Sequence, residues 1–284
     1  MAQSSTMDVG YIGDLVRSGD QDRYWSALLA PEPARSDLLA LYAFHLELAR
    51  IPDQVSEPQL GEIRLQWWRD ALQAALDSET AVHPVLAALA QAASRHQLPA
   101  STLAGMIDAF SFDLNDELMP DFPALETYLD ATSGGVFALG AQMLGGNRAD
   151  CGPLAAKAAR AYGLAGLLRG LPHHASRGRI YLPAKLLAGH GLHPDVMLQG
   201  GDNEDIRAAC RDVRERAEEA MRAFRKDAVK LPRPLRPAFA PLALVEPYLK
   251  KLAAPDHHPL RDIVQINPLT RYGLIWRAYL SGRF

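Results

Sequence analysis

The chain has 284 residues, of which 48% are hydrophobic and 22% are charged, and its formal net charge is −3. This balance is typical of a globular protein and excludes a disordered or collagen-like chain. A mildly acidic chain also lacks the basic excess expected of a general nucleic-acid binder. The two cysteines, Cys151 and Cys210, have no CxxC spacing, which argues against a zinc site or a disulfide framework.

The N-terminal sequence has no basic start followed by an apolar stretch, and no apolar run approaches the ~20 residues that a membrane span needs. We therefore expect a cytoplasmic protein without a signal peptide or transmembrane helix, in which any membrane contact is peripheral. Residues 234–252 carry apolar side chains beside two lysines. They suit a helix at a membrane surface, although a core helix fits the pattern equally well.

Alanine and leucine dominate, β-branched residues are scarce, and apolar residues recur at spacings of three and four, which predicts helices throughout. In chain order, the predicted helices cover residues 36–50, 61–76, 84–97, 101–116, 124–144, 153–169, 203–230 and 267–280. Ser36 is the expected N-cap of the first, and Pro52 should end or bend it. The proline-rich residues 232–237 predict a stiff connector of polyproline character.

No shift in composition separates two halves of the chain. We therefore predict an all-α fold with one helical domain at residues 20–284, built from about nine to twelve helices by ordinary helix packing. Residues 1–19 are expected to form a flexible N-terminal segment.

Residues 168–183 hold the densest set of candidate functional side chains. Arg169, Arg177 and Arg179 stand close to His173 and His174 around one predicted turn. Three guanidinium groups in such a cluster favour binding of a phosphate or carboxylate, because each offers a fork of donors. Cations are also favourable at any helix C-terminus, so the spacing alone leaves both interpretations open.

The sequence RGRIYLP at 177–183, which follows LLR at 167–169, resembles the second signature of the squalene/phytoene synthase family. LALYAF at 39–44 resembles the start of the first signature, and residues 128–136 and 163–169 resemble further stretches of that family. The similarity runs from about residue 20 to about residue 194. It implies a single-domain isoprenoid-synthase-type helical bundle around a central cavity. Active members join two prenyl diphosphates head to head, with Mg²⁺ held by aspartates on two facing helices.

The resemblance also implies where the metal-binding aspartates should stand. The corresponding residues here are Ala49, Arg50, Asp53, Gly170 and His174, so one carboxylate remains. Mg²⁺ prefers carboxylate oxygens, and Arg50 would bring a positive charge to the metal position. We therefore expect no metal and no cofactor.

Three further stretches resemble a divergent subgroup of the family: FHLELA at 44–49, VSE at 55–57 and GEIRLQWWR at 61–69. That subgroup includes the mitochondrial assembly factor for respiratory complex I that is related to phytoene synthase. The resemblance implies respiratory-complex assembly partners. Trp67 and Trp68 are neighbours on one predicted helix, so we expect one in the core and the other at the surface.

The candidate ligand-binding residues lie on the two matching segments: Tyr42, His45, Arg50, Asp53, Arg169, His173, His174, Arg177, Arg179 and Tyr181. His45 lies one turn before Ala49, on the helix expected to line the cavity. A lone histidine on an apolar helix is nevertheless usually a hydrogen-bonded core residue. His173 and His174 are adjacent and point in different directions, which argues against their sharing one metal ion.

Two functions fit these observations. In the first, the chain is a non-catalytic binding or assembly protein whose apolar cavity has a cationic mouth and holds an apolar-tailed anion, such as a prenyl diphosphate or lipid. In the second, it is an active head-to-head prenyltransferase. Its Mg²⁺ would then be held by Asp53, Asp108, Asp113 and Asp116, and these carboxylates should converge across one cavity. Otherwise residues 108–117 are expected to form a solvated acidic face.

Overall fold

A computed structural model of the chain describes residues 2–77, 81–115 and 117–284, with side chains from residue 10 onward. All regular structure within these ranges is helical, which confirms the all-α prediction. No helix in them is both long and apolar enough to cross a membrane.

The first half of the chain forms helices α1 (Ala2–Gly19), α2 (Gln21–Ala27), α3 (Ala34–Gln54), α4 (Pro58–Leu76), α5 (Pro84–His96) and α6 (Ala100–Ala109), then a 3₁₀ turn at Phe110–Leu114. Residues 1–19, the predicted flexible segment, are thus helical over almost their whole length. Ile12 and Val16 of α1 are buried in the core. The domain boundary at residue 20 stays a prediction.

The second half forms α7 (Phe122–Leu129), α8 (Gly135–Met143), α9 (Arg148–Ser176), α10 (Ala184–Gly189), α11 (Pro194–Leu198), α12 (Glu204–Asp227), α13 (Arg236–Phe239), α14 (Val245–Leu252) and α15 (Pro268–Ser281). The predicted helix at 124–144 is therefore two helices, which a π-helical turn at Asp130–Gly134 separates. Asn203 and Asn267 cap α12 and α15 by accepting backbone N–H bonds.

α3 extends beyond the predicted residues 36–50 at both ends. It begins after Pro33, and Ser36 lies in its first turn, where its hydroxyl donates to Glu32. The helix also continues through Pro52 instead of ending there. Because of this extra turn, Asp53 remains on α3.

α9 is likewise longer than the predicted residues 153–169. Asn147 caps its start by accepting a 2.9 Å bond from the N–H of Ala149, and the helix continues through Pro153 and Pro172. Gly170 and His174 are therefore carried on the last turns of one long helix.

The prediction of a polyproline connector at 232–237 is wrong. Residues Arg233–Leu235 form a 3₁₀ turn, and α13 follows directly. Prolines are tolerated there because they stand in first turns, where no N–H partner is lost. The apolar side chains proposed for a membrane-surface helix are buried: Leu235, Phe239, Leu242, Leu244 and Tyr248. They belong to the core, so this stretch presents no apolar face to a membrane.

Two large apolar clusters fill the interior, and α8 lies between them. Val136 and Leu139 on one face of α8 belong to the cluster formed mainly by α1–α6. Phe137 and Ala141 on another face belong to the cluster formed with α7, α9 and α12. Phe137 stacks on Phe239 of α13 with ring centroids 5.7 Å apart. α8 thus joins the two halves of the chain.

Candidate functional site

A cavity of about 210 Å³ lies between α3, the 3₁₀ turn after α6, the π-helical turn after α7, and α9. Its wall combines apolar side chains with a polar set: His45, Asp53, Asp113, Tyr128, Thr132, Ser133, His174, Arg179 and Tyr181. His45, Asp53, His174, Arg179 and Tyr181 are among the residues that the sequence analysis proposed. The fold therefore brings the two matching segments to one place.

At the mouth of this cavity, Asp53 faces two guanidinium groups and an imidazole. Arg177 Nη1 and Arg179 Nη1 each lie 3.4 Å from Asp53 Oδ1, and His173 Nε2 lies 3.4 Å from Oδ2. Arg179 Nη2 also donates a 2.6 Å bond to the backbone carbonyl of Pro52. The one retained carboxylate is thus already balanced by two guanidinium groups. We call Asp53, His173, Arg177 and Arg179 the mouth cluster.

The His174 side chain lies close to the backbone at Gly170. A Cβ placed on Gly170 would be only 2.7 Å from His174 Nε2. The imidazole also packs edge-on against the Tyr181 ring, with centroids 4.8 Å apart. Burial, together with neighbouring His173, lowers the pKa of His174 to about 4, so its ring is neutral at pH 7. A neutral ring therefore occupies the space beside Gly170.

Asp113 lines the cavity, whereas the sequence analysis placed it on a solvated face unless it served as a Mg²⁺ ligand. The structure buries it, with an exposed fraction of 6%. Tyr128 donates a 2.9 Å hydrogen bond to Oδ2, while Oδ1 has no hydrogen-bond partner among the described residues. Burial raises the pKa of Asp113 to about 7, and the nearby Tyr128 and Tyr181 hydroxyls act in the opposite direction. Its neighbours Phe112 and Leu114 were the available signal that this turn is packed inward.

His45 is a buried, hydrogen-bonded histidine that also lines the cavity. Its Nδ1 lies 3.2 Å from Arg23 Nη1. Burial and the nearby guanidinium lower the pKa of His45 well below its usual value, so the neutral ring accepts this bond. Arg23, which the sequence reasoning missed, is buried between the rings of Tyr42 and Tyr162, with its Cζ 5.8 and 5.3 Å from the two centroids.

Five proposed ligand-binding residues do not line the cavity. His173 and Arg177 lie beside Asp53 at its mouth, and the other three lie elsewhere. Tyr42 is buried beneath Arg23. Arg50 points towards α1, where a Cβ on Gly19 would be 2.5 Å from its Nη2. Arg50 is not among the side chains that line the cavity. The Arg169 guanidinium lies over the Tyr248 ring, 4.6 Å from its centroid, beside a separate small cavity.

The four aspartates of the prenyltransferase hypothesis do not all meet at this site. Asp53 and Asp113 line the same cavity, but Asp108 is exposed and accepts a 3.1 Å bond from Arg69 Nε. Asp116 lies outside the described residues. Within the ranges that are described, no group of three or more His, Cys, Asp or Glu side chains is arranged to hold a metal ion.

A second cavity of about 450 Å³ adjoins the first. Asp113, Arg179 and Tyr181 line both cavities. The rest of the second cavity is lined by apolar side chains and by four polar ones: Phe112, Leu118, Ile180, Pro194, Leu198, Asn115, Glu117, His193 and Asp195. The three shared residues thus form a polar partition between two spaces.

Comparison with known sequences shows which proteins this chain resembles. A family model described as squalene/phytoene synthase matches residues 16–280. Complex I assembly factor 6 of Rattus norvegicus is 30% identical over 271 residues, which cover 94% of this chain and 81% of that protein. Phytoene synthase of Thermus thermophilus is 25% identical over 276 residues, which cover 95% of this chain and 92% of the synthase.

Solved structures show the same fold. A dehydrosqualene synthase in complex with a ligand superposes with a TM-score of 0.84 at 19% identity, covering 99% of both chains. At this level of identity the likeness establishes the architecture alone. It confirms the helical bundle of the isoprenoid-synthase type that the signatures implied.

Proposed function

Because the chain belongs to the squalene/phytoene synthase family, we propose that it is a non-catalytic member that binds an apolar-tailed anion and acts in the assembly of respiratory complex I. The observation that carries the non-catalytic part is the mouth cluster. There the one retained carboxylate, Asp53, is engaged by Arg177 and Arg179.

The residues at the implied metal positions do not fit Mg²⁺. This ion requires near-octahedral oxygen ligands and is usually held by carboxylates in protein sites. Ala49 and Gly170 offer no side-chain oxygen, His174 is a neutral imidazole, and Asp53 is balanced by guanidinium groups. No metal-dependent step follows from these side chains.

The same cluster suits the binding of an anion without a metal. Arg177 and Arg179 bring two positive charges against one Asp53 carboxylate, which leaves a positive excess at the mouth. Guanidinium groups offer forked donors to phosphate or carboxylate oxygens. They neutralise a bound diphosphate, but they do not supply the divalent charge that stabilises its departure. The two adjoining cavities then accommodate the apolar tail.

The assembly role is supported by the relatives. Complex I assembly factor 6 of the rat matches 94% of this chain, and the match to the human protein, at 28% identity, covers the same share. Such matches span the whole helical bundle, including the segments that build the cavity.

Calorimetric titration with farnesyl and geranylgeranyl diphosphate, with and without Mg²⁺, tests the binding proposal. We expect heat of binding without Mg²⁺ and no release of diphosphate under either condition. Replacing both mouth arginines, R177Q/R179Q, should weaken binding at least about tenfold, because two charge-assisted contacts are lost. Arg148→Gln is the matched control, since it removes an exposed charge about 40 Å away along α9. Mg²⁺-dependent release of diphosphate would overturn the proposal.

The assembly role has a separate test. We expect deletion of the encoding gene in its source organism to lower the amount of intact complex I on native gels. Re-expression of the wild-type chain should restore it, and R177Q/R179Q should restore it less well than Arg148→Gln. Normal complex I in the deletion strain would contradict the assembly role and leave the titration result standing.

An active head-to-head prenyltransferase is the second candidate. The observation that favours it is the presence of two carboxylates, Asp53 and Asp113, in one cavity. This enzyme would join two prenyl diphosphates and release diphosphate with Mg²⁺. If it operates, Asp53→Asn should abolish release, whereas under the main proposal there is no release to abolish.

A further inference from the structure

α15 presents a row of apolar side chains to solvent. Leu269, Tyr272, Trp276 and Leu280 are 82%, 42%, 38% and 49% exposed, respectively. At about 100° per residue, these four positions fall within one narrow face of the helix. Large apolar groups aligned in this way mark an interaction surface more often than scattered ones do.

This row is not the face that holds α15 to the protein. Ile275 and Ala278 are fully buried on the other side of the helix, and Ile275 packs in a small apolar cluster with Leu244 and Tyr248. Arg271, also turned inward, is bonded to the buried carboxylate of Asp22 at 2.8 Å. α15 is therefore anchored by one face while its opposite face stays open.

Basic side chains flank the open face. Arg277 lies to one side, and Arg233 lies to the other, with its Cζ 5.1 Å from the Tyr279 ring centroid. Arg283 follows just beyond the helix end. None of these three arginines has a carboxylate within 4.0 Å in the part of the chain that the structure describes. Residues 263–284 contain no aspartate or glutamate.

The two aromatic residues of the face are held in place by local contacts. Trp276 Nε1 donates a 2.6 Å bond to the Tyr272 hydroxyl, and the Tyr272 ring packs edge-on against Trp25 of α2 with centroids 5.9 Å apart. Tryptophan and tyrosine side chains with an apolar body and a polar tip favour the interface between lipid and water.

We propose that the open face of α15 docks on the surface of an anionic lipid membrane, with the helix axis parallel to the bilayer. Leu269, Trp276 and Leu280 enter the headgroup boundary, while Arg233 and Arg277 contact acidic headgroups on either side. Charge complementarity and the interfacial aromatic pair select this partner, since basic amphipathic helices bind anionic bilayers in this manner. The proposal does not depend on a ligand in the cavity.

Flotation of the purified chain with lipid vesicles tests this surface. We expect binding to vesicles that mix phosphatidylglycerol with phosphatidylcholine, little binding to phosphatidylcholine alone, and weaker binding at high salt. L269E/L280E should reduce the bound fraction at least about tenfold, because two carboxylates then face acidic headgroups. Ile63→Glu is the matched control, since Ile63 is 65% exposed on α4. R233Q/R277Q should remove the preference for the anionic lipid.

Two outcomes would overturn the proposal. The first is flotation of L269E/L280E equal to that of the wild-type chain. The second is no flotation of the wild-type chain together with a dimer on size-exclusion chromatography that L269E/L280E dissolves. That second result would assign the face to a second copy of this chain.

Discussion

The buried Asp113 carboxyl gives the cavity a titrating group in the range of neutral pH. Its pKa of about 7 in the folded chain compares with an ordinary value of 3.8. Between these two values the unfolded chain loses the proton first. Folding stability therefore falls as the pH rises from about 4 to about 7, by on the order of 4 kcal/mol in total.

Asp113→Asn should remove this loss, because the amide stays neutral and its oxygen still accepts the hydrogen bond from Tyr128. We expect the variant to be more stable than the wild-type chain at pH 8, and the difference to be clearly smaller at pH 5. Urea unfolding at both pH values measures it. An equal difference at the two values would show that the carboxyl does not titrate in this window.

The titration of His174 changes folding stability in the opposite direction to that of Asp113. Its pKa of about 4 lies below the ordinary 6.5, so the unfolded chain gains the proton first as the pH falls. Stability should decline from pH 6.5 towards pH 4, by on the order of 3 kcal/mol. His174→Asn should lose this component of the acid sensitivity, and a set of urea unfolding curves across that range measures it. A variant that declines as steeply as the wild-type chain would contradict the assignment.

The sequence was sufficient to place several site residues. Asp53, His174, Arg179 and Tyr181 were proposed from the two signatures, and the structure brings them to one cavity. Asp113 was predicted as a Mg²⁺ ligand in the second hypothesis alone and otherwise as part of a solvated face, because an acidic stretch is normally solvated. The tertiary packing of the 3₁₀ turn buries it instead. The direction in which Arg50 points likewise depends on how α1 packs against α3.

At the scale of elements, the turn between α8 and α9 is fixed by two glycines. Gly145 has φ of +89°, a conformation that favours glycine. A Cβ on Gly146 would be 2.8 Å from the carbonyl oxygen of Ala141 and 2.7 Å from Cys151 Sγ. The last turn of α8 and the first turn of α9 thus close tightly around Gly146.

Gly146→Ala should lower the free energy of unfolding by about 1–3 kcal/mol, because the backbone at Ala141 has to move. Gly152→Ala is the matched control on the first turns of α9, where a Cβ meets nothing within 4 Å. There alanine should stabilise the chain by about 0.5–1 kcal/mol through its higher helix propensity. Equal effects of the two substitutions in urea unfolding would refute the tight closure.

Helical periodicity located most of the long helices, because their apolar faces repeat regularly along the sequence. It did not reveal the π-helical turn within 124–144, because five residues are too few to show a period of their own. It also failed at 232–237, where proline composition suggested an extended connector. The apolar neighbours Leu235 and Phe239 instead draw this stretch into the core.

For the whole molecule, the packing of α8 matters most for cooperative unfolding, because this helix contributes side chains to both large apolar clusters. Leu139 packs in one cluster and Phe137 in the other. A cavity on either face weakens a helix on which both halves depend, so we expect the halves to unfold together.

Leu139→Ala should cost about 2–5 kcal/mol and Phe137→Ala about 3–5 kcal/mol. In a background with Trp25 and Trp276 replaced by phenylalanine, fluorescence reports α4 through Trp67 and Trp68, while circular dichroism reports all helices. Both signals should shift to the same lower urea midpoint in each variant. Separate midpoints for Phe137→Ala would show that the halves unfold independently.

The close approach of His174 to Gly170 makes the effect of a carboxylate at one of these positions depend on the residue at the other. With His174 in place, an aspartate at position 170 requires the imidazole to move, whereas an aspartate at position 174 meets no such obstacle from Gly170. Substitution of His174 first should therefore cost less stability than substitution of Gly170 first. The two substitutions are coupled, and their effects on the free energy of unfolding should not add.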